Sequence, residues 1–346
     1  MDLNLFWFVT LGVLLGGYAI LDGFDLGVGI LHLAARDDRQ RRIFMNAIGP
    51  LWDGNEVWLI TFGGALFAAF PHAYATGFSA FYLAFVLLLV ALILRAVAIE
   101  FRSKRQSPRW RSFFDFCFFG GSLLATLLFG VAVGNVVQGI PIGPDMEFAG
   151  GFADLLRLYP ILVGLLTVAI FALHGSIYLC LKTDGELQQR VRMWTWRAFW
   201  CFLVVYVVVT VCSLAAIPTA TRNFAAHPWL WAVVLLNVLA IGNIPRAIRR
   251  GRPLTAFLSS SCSIAALVFL FGAALYPYLL VSSAGAPQGM AFNPAWSLDI
   301  HNAASSQKTL RIMQIIALSG MPLVLIYTAA IYWTFRGKVR LGKHSY

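Results

Sequence analysis

Pro50-Leu51-Trp52-Asp53-Gly54-Asn55-Glu56-Val57-Trp58-Leu59 sets two carboxylates at the mouth of an apolar run that continues to Phe70. A second pair, Asp22 and Asp25, stands inside another run, in Leu21-Asp22-Gly23-Phe24-Asp25-Leu26-Gly27-Val28-Gly29. Both pairs have i, i+3 spacing, which places the two acids on one face of a helix. A charged side chain near the centre of a bilayer costs about 2.5–3.5 kcal/mol on insertion scales, so it persists where it is paired, wetted or used. Whether these runs cross a membrane therefore decides both the fold and the meaning of the acids.

Composition answers the first question. Of 346 residues, 60% are hydrophobic and 12% charged, and the mean hydropathy is +0.76; a soluble domain carries roughly 25% charged residues. Working outward from the 51–70 run, nine runs approach the ~20 residues that cross a ~30 Å hydrocarbon core. They lie at 5–31, 51–70, 78–100, 113–135, 159–181, 198–217, 229–245, 254–281 and 310–335. The run at 229–245, bounded by Pro228 and Pro245, is the shortest. The expected fold is an all-α polytopic membrane protein, one integral-membrane domain over 1–346 with nine transmembrane helices. The first run has no small-residue cleavage site after a short core and reads as a retained span, not a signal peptide. The longest links, near 136–158 and 282–309, have no settled structure from sequence alone.

Charge sets the orientation. The links after spans 1, 3, 5 and 7, with the C-terminal tail, hold 21 of the 26 Lys and Arg residues. They include Arg36 to Arg42, Arg102 to Arg111, Lys182 to Arg197, Arg246 to Arg252, and Arg336 to Lys343. The other side holds Arg157, Arg222, Lys308 and Arg311, while Arg95 lies within a span. The positive-inside rule then places the N-terminus outside and the C-terminus in the cytoplasm. The net charge of +11 follows from orientation and from anionic headgroups, so no nucleic-acid partner is expected.

Orientation turns the charges into a depth map. Asp22 and Asp25 fall in the inner half of span 1, Asp53 and Glu56 in the first turns of span 2, and Arg95 and Glu100 near the inner end of span 3. Gly23, Gly27, Gly29 and Gly54 thin the helices beside the acids, which lets backbones approach and leaves room for water. One reading is an ion-pair cluster that locks the helices, with Glu56 and Glu100 solvated near the interface. The other is a proton-loading cluster open to the cytoplasm. Arithmetic favours the second: one arginine cannot neutralise five carboxylates, and desolvation with mutual repulsion lets some of them exchange protons near neutral pH.

Other chemistry is weakly represented. His32 and His344 fall at the inner surface, His72, His227 and His301 at the outer, and His174 inside a span, where it reads as a polar packing residue. No H-x-x-x-H, E-x-x-H or Cys/His set offers converging metal or haem ligands. Cys117, Cys180, Cys201, Cys212 and Cys262 read as buried free thiols, and Trp194, Trp196 and Trp229 as interface anchors. No phosphate loop or nucleophile motif is present.

Five blocks, met in order along the chain, resemble subunit II of the cytochrome bd-type quinol oxidases, including the branch often called cyanide-insensitive. They are Asp22–Gly29, Asn46–Leu59, Phe62-Gly63-Gly64-Ala65-Leu66-Phe67-Ala68-Ala69-Phe70-Pro71, Leu94–Arg102, and Trp296–Asp299 with Ala304–Leu310. The Trp52–Leu59 block is the most specific. The resemblance implies two four-helix bundles plus one peripheral helix, beside a similar haem-bearing subunit I with two haems b and one haem d. It also implies a complex in a bacterial inner membrane that oxidises quinol outside and reduces oxygen to water with cytoplasmic protons. A small single-helix accessory subunit and, in some members, a structural quinone in a lipid-facing groove are further implications; no quinone or other cofactor site is placed on this sequence. Carried over by motif, Asp25, Asp53 and Asp22 are the proton-path acids, and Arg95 is their charge partner near the inter-subunit interface, reaching toward a haem propionate, with Trp52 beside it. Glu56 is Gln in some relatives and Glu100 varies, so both rank lower on the path. The competing readings are a proton-coupled transporter, against which no pair of broken spans recurs in two halves, and a purely structural membrane subunit.

Overall fold

The computed structural model describes residues 2–288 and 290–342, so the tail cation Lys343 and His344 lie outside the described residues. In chain order the α-helices are α1 (Leu3–Leu31), α2 (Asp38–Ile48), α3 (Trp52–Ala69), α4 (Pro71–Ala80), α5 (Tyr82–Phe101), α6 (Pro108–Gln138), α7 (Leu158–Lys182), α8 (Gly185–Ala216), α9 (Thr219–Ala226), α10 (Leu230–Arg249), α11 (Pro253–Leu275) and α12 (Gln307–Thr334). Starts follow local chemistry. The Asp37 carboxylate accepts from Gln40 N at 2.9 Å ahead of α2, and Pro108 and Pro253 open α6 and α11, where a missing N–H costs nothing.

Eight of these helices, α1, α5, α6, α7, α8, α10, α11 and α12, are long and apolar enough to cross a bilayer. The expected 51–70 run forms α3, 18 residues long, whose first turns are diluted by Asp53, Asn55 and Glu56 and which is not one of the eight. The expected 78–100 run is cut differently. Pro71 starts the separate helix α4, and the chain breaks at Phe81 before α5. Helix α10 does not stop at Pro245 but runs through it to Arg249, because a proline in the last turn removes only one ladder bond.

The all-α expectation needs one correction. The 254–281 run ends as helix at Leu275, ahead of Pro277, which disfavours helix at the residue before it. Tyr278–Ser282 then forms β1, antiparallel to β2 at Asn293–Asp299. The described parts of the two long links therefore meet. Ile140 N donates to the Val281 carbonyl at 3.0 Å and Ser283 N to the Ile140 carbonyl at 2.9 Å. With α4 and the start of α1, this ribbon closes over its own apolar core of Trp7, Phe70, Ile140, Leu280, Leu298 and Leu310. The result is a cap at the end of the bundle opposite the arginines.

Helices α1 and α7 are the axis of the molecule. α7 packs on α6, α8, α1 and α11, while α1 packs on α3, α6, α7 and α11. They cross at Gly27 and Gly175, where a Cβ on Gly27 would overlap the Phe171 carbonyl and one on Gly175 would overlap the Gly27 backbone. Gly54 has no such role within the chain, since a Cβ there would meet no atom within 4 Å. Helix α12 lies on the outside against α1 and α3, with Leu310 as its buried residue. Its Ile315, Leu323 and Ile326 are each more than 60% exposed, the apolar exterior that lipid requires. Cys117 and Cys180 are buried free thiols as expected, but Cys201 and Cys262 are exposed on this apolar exterior.

Candidate functional site

Asp22 and Asp25, one turn apart on α1, have no exposed surface. Arg95 on α5 is equally buried. Its Nη1 donates to Asp22 Oδ2 at 2.8 Å, and its Nη2 pairs with Asp22 Oδ1. This is a fork-to-fork pair, the geometry in which guanidinium and carboxylate bond most strongly. Arg95 is thus the charge partner of Asp22 specifically. It is turned into the chain and has no exposed surface.

Asp25 is held differently. Its Oδ2 accepts from Asn55 Nδ2 at 2.7 Å, and Asn55 Nδ2 also reaches the Leu21 carbonyl at 3.2 Å. Asn55 Oδ1 accepts from the Tyr332 hydroxyl of α12 at 2.9 Å. A neutral amide therefore bridges the carboxylate to a phenol. Among the described residues two buried polar atoms at this point, Asp25 Oδ1 and Arg95 Nε, have no protein hydrogen-bond partner, and the Tyr18 hydroxyl lies beside Asp22 and Arg95. Such groups are rare in native interiors and mark functional or hydrated positions.

The five acids and one arginine grouped by depth are not one cluster in the structure. Asn55 and Trp58 are the inward residues of the first turns of α3, so Asp53, about 200° around the helix from Asn55, is exposed. Glu56 is half-buried at the edge, within electrostatic reach of Arg95, Asp22 and Asp53. Glu100 is half-buried five residues beyond Arg95, toward the arginine-rich end. Trp52 is half-buried against the core shared by α1, α2, α5, α6 and the C-terminal part of α7. Asn55, Tyr332 and Tyr18 were not singled out by sequence reasoning, although Asn55 sits in the middle of the block that carried the resemblance.

A second buried network was missed altogether. Asp115 of α6 is 1% exposed and accepts from Arg102 Nε at 2.5 Å, Arg41 Nη1 at 2.7 Å and His32 Nε2 at 2.5 Å. Arg102 also donates to Asp38 at 2.8 Å, and Arg111 to the same carboxylate at 3.0 Å. This mesh pins the end of α1, α2, the end of α5 and the start of α6 together. His32, expected at the surface, is fully buried. The signal was available: Asp115 is the one acid in the 113–135 run.

His174 is fixed between Ser260 Oγ at 2.7 Å and the Ile20 carbonyl at 3.1 Å, with its ring stacked on Phe257. Both ring nitrogens are engaged, so its role is packing. His32 spends Nε2 on Asp115, and its ring edge lies against Phe118. Among the described residues no group of three or more His, Cys, Asp or Glu side chains converges as a metal site would need. The buried polar side chains of this chain include carboxylates, amides and phenols together with His32, His174, Arg95 and Arg102.

The chain matches the family model described as cytochrome bd terminal oxidase subunit II over residues 3–335. It is 36% identical to the cytochrome bd-I ubiquinol oxidase subunit 2 of Escherichia coli K12, covering 97% of this chain and 95% of that protein. It is 34% identical to the cytochrome bd ubiquinol oxidase subunit 2 of Bacillus subtilis 168, covering 96% of each. Among solved structures it resembles a chain of the bd oxidase from Geobacillus thermodenitrificans with a TM-score of 0.78 at 17% identity, covering 97% of this chain and 99% of that one. At that identity the likeness speaks for the fold. On the family match and the full-length relatives, this chain belongs to the cytochrome bd terminal oxidase subunit II family.

Proposed function

We propose that this subunit of a bd-type quinol:oxygen oxidoreductase, a multi-pass protein of the bacterial inner membrane, steadies a haem-bearing subunit I and carries part of the route for protons consumed in oxygen reduction. The observation that carries the proposal is the contrast between the two buried aspartates. Asp22 is locked by Arg95, whereas among the described residues Asp25 is hydrogen-bonded to a neutral amide alone and keeps one oxygen without a protein partner. A carboxylate to which no cation is hydrogen-bonded can take up and release a proton.

In this reading protons arrive at the arginine-rich, cytoplasmic end. Asp53, exposed on α3, receives them, Glu56 and Glu100 lie at the edge of the route, and Asp25 is the inner acceptor. Water bonded to Asp25 Oδ1 and Arg95 Nε, beside the Tyr18 hydroxyl, completes the path, since buried water settles where such polar atoms converge. The haems b and d reside on subunit I and supply the electron chemistry; quinol and oxygen are substrates of the complex. A small single-helix accessory subunit and a bound structural quinone complete the assembly. The reading also takes α3 as the ninth span, the arrangement as two four-helix bundles (α1, α3, α5, α6 and α7, α8, α10, α11) with α12 peripheral, the N-terminus outside and the C-terminus in the cytoplasm. An odd number of spans is what the charge alternation requires.

The test is oxygen consumption by the purified complex carrying Asp25→Asn or Asp53→Asn, with haem content followed by its visible spectrum. Losing a proton-transfer group costs about 10²–10⁴-fold where that step limits turnover, so slowed turnover with haems retained is expected. Full turnover in both variants would leave the acids structural, and loss of haem would assign them to assembly.

A further inference from the structure

The outer faces of α8 and α10 carry a feature that proton transfer does not use. The two helices are tied where the Tyr206 hydroxyl donates to Asn237 Oδ1 at 3.0 Å. Between that tie and their arginine-rich ends lies a groove of about 300 Å3 whose lining includes Trp196 and Trp200 from α8 and Gly242, Arg246, Arg249 and Arg250 from α10 and its end. A Cβ at Gly242 would meet no atom within 4 Å, so the floor there is open.

The three arginines are not explained by the fold. Among the described residues none of them forms an ion pair with a carboxylate. Nor are they needed to satisfy the end of α10, because Arg192 Nη2 donates to the Ile248 and Arg249 carbonyls at 2.7 and 3.2 Å. The Arg249 guanidinium lies over the Trp196 ring at 5.4 Å, which holds it at the groove. Along the same faces, away from the arginines, Val204, Val208, Leu235 and Leu239 are each more than 40% exposed. The site is therefore cationic and aromatic at the membrane boundary and continuous with a bare aliphatic surface.

We infer that this groove binds an anionic glycerophospholipid of the inner leaflet, its phosphodiester on Arg246, Arg249 and Arg250, its glycerol region beside Trp196 and Trp200, and its acyl chains along α8 and α10. Planar guanidinium donors match phosphate oxygens, and basic sites between transmembrane helices on the cytoplasmic side select acidic headgroups. A neutral quinone would leave the three guanidinium groups without a counter-charge. The inference is independent of the proton route, since it concerns a different face of the bundle.

The test is native mass spectrometry of the whole oxidase complex in nanodiscs of phosphatidylcholine with a rising fraction of phosphatidylglycerol. The wild type should retain one phosphatidylglycerol more than R246Q/R249Q/R250Q, whose preference for that lipid over phosphatidylcholine should fall by about tenfold or more. G242W should exclude the same lipid with every arginine intact, and the triple lysine variant should keep part of the preference. Equal retention in wild type and both variants would overturn the inference. So would a wild type indifferent to headgroup charge, or a groove-dependent adduct with the mass of a quinone. If the triple glutamine variant fails to assemble, G242W alone decides.

Discussion

At the scale of single residues, two aspartates one turn apart do different work. Asp22 and Arg95 form a closed, fully buried ion pair. Replacing Arg95 with Leu leaves an uncompensated charge in the interior, which costs about 3–5 kcal/mol. The expected outcome is a complex that loses its midpoint in thermal unfolding and recovers part of it in Asp22→Asn/Arg95→Leu, where neither partner is charged. A midpoint unchanged in Arg95→Leu would show that the pair adds nothing. Asn55 has a different role, since it connects Asp25 to Tyr332. Tyr332→Phe removes one hydrogen bond worth about 1 kcal/mol and should leave turnover near that of the wild type. Asn55→Leu strips Asp25 of its one hydrogen-bond donor among the described residues and should slow oxygen consumption at unchanged haem content. Equal rates in both variants would argue against Asn55 as part of the route.

At the scale of elements, two devices hold the polar interior in place. The first is the crossing of α1 and α7 at Gly27 and Gly175, where the backbones touch. Gly175→Leu places a branched side chain where no space exists, and overpacking of this kind costs about 1–3 kcal/mol or more. Since α1 carries both Asp22 and Asp25, the complex should fail to accumulate in membranes, measured as haem per milligram of membrane protein. The second device is the Asp115 mesh. Asp115→Ala leaves Arg102, His32 and Arg41 facing one another without the shared carboxylate, again a loss of about 3–5 kcal/mol. Its effect should be local, with faster hydrogen exchange over α2 (Asp38–Ile48) and little change in α10 and α11. Uniform acceleration would make the mesh part of the global fold rather than a clamp on one end. Sequence reasoning found the helices by hydropathy but not these devices. Its own depth criterion covered Asp115, which escaped because it stood alone rather than in a pair.

At the scale of the whole molecule, the ends differ in kind. One end is closed by the β1–β2 ribbon, α4 and the 136–158 link over a shared apolar core. The other is a basic surface to which the tail returns, with Val339 N donating to the Lys182 carbonyl at 2.8 Å and Lys338 Nζ to the Cys180 carbonyl at 3.2 Å. If nine spans are threaded as the charges direct, a cysteine placed at Ala286 should react with a membrane-impermeant maleimide from outside intact cells, and one at Leu341 only after permeabilisation. Labelling of both from one side would mean that α12 does not cross; a cysteine placed at Asp2 that labels from the side opposite Ala286 would reduce the span count to eight, with α3 not crossing.

The amino-acid sequence alone settled the class of the protein, its apolar runs, its charge asymmetry and, through five ordered blocks, its family. These properties are local or compositional: a residue is apolar or basic wherever it folds, and a motif is read along the chain. The partners of the acids were another matter. Asp53 and Glu56 look equivalent to Asp22 and Asp25 by spacing, yet the packing of α3 on α1 turns Asn55 inward and Asp53 out. Asp22 meets Arg95 across 73 residues and Asn55 meets Tyr332 across 277. Contacts of that range depend on which helix faces touch, and nearly uniform hydrophobicity does not mark one face from another. Only the tertiary structure could decide that Asp22 is locked, Asp25 is not, and Asp115 belongs with two arginines and a histidine.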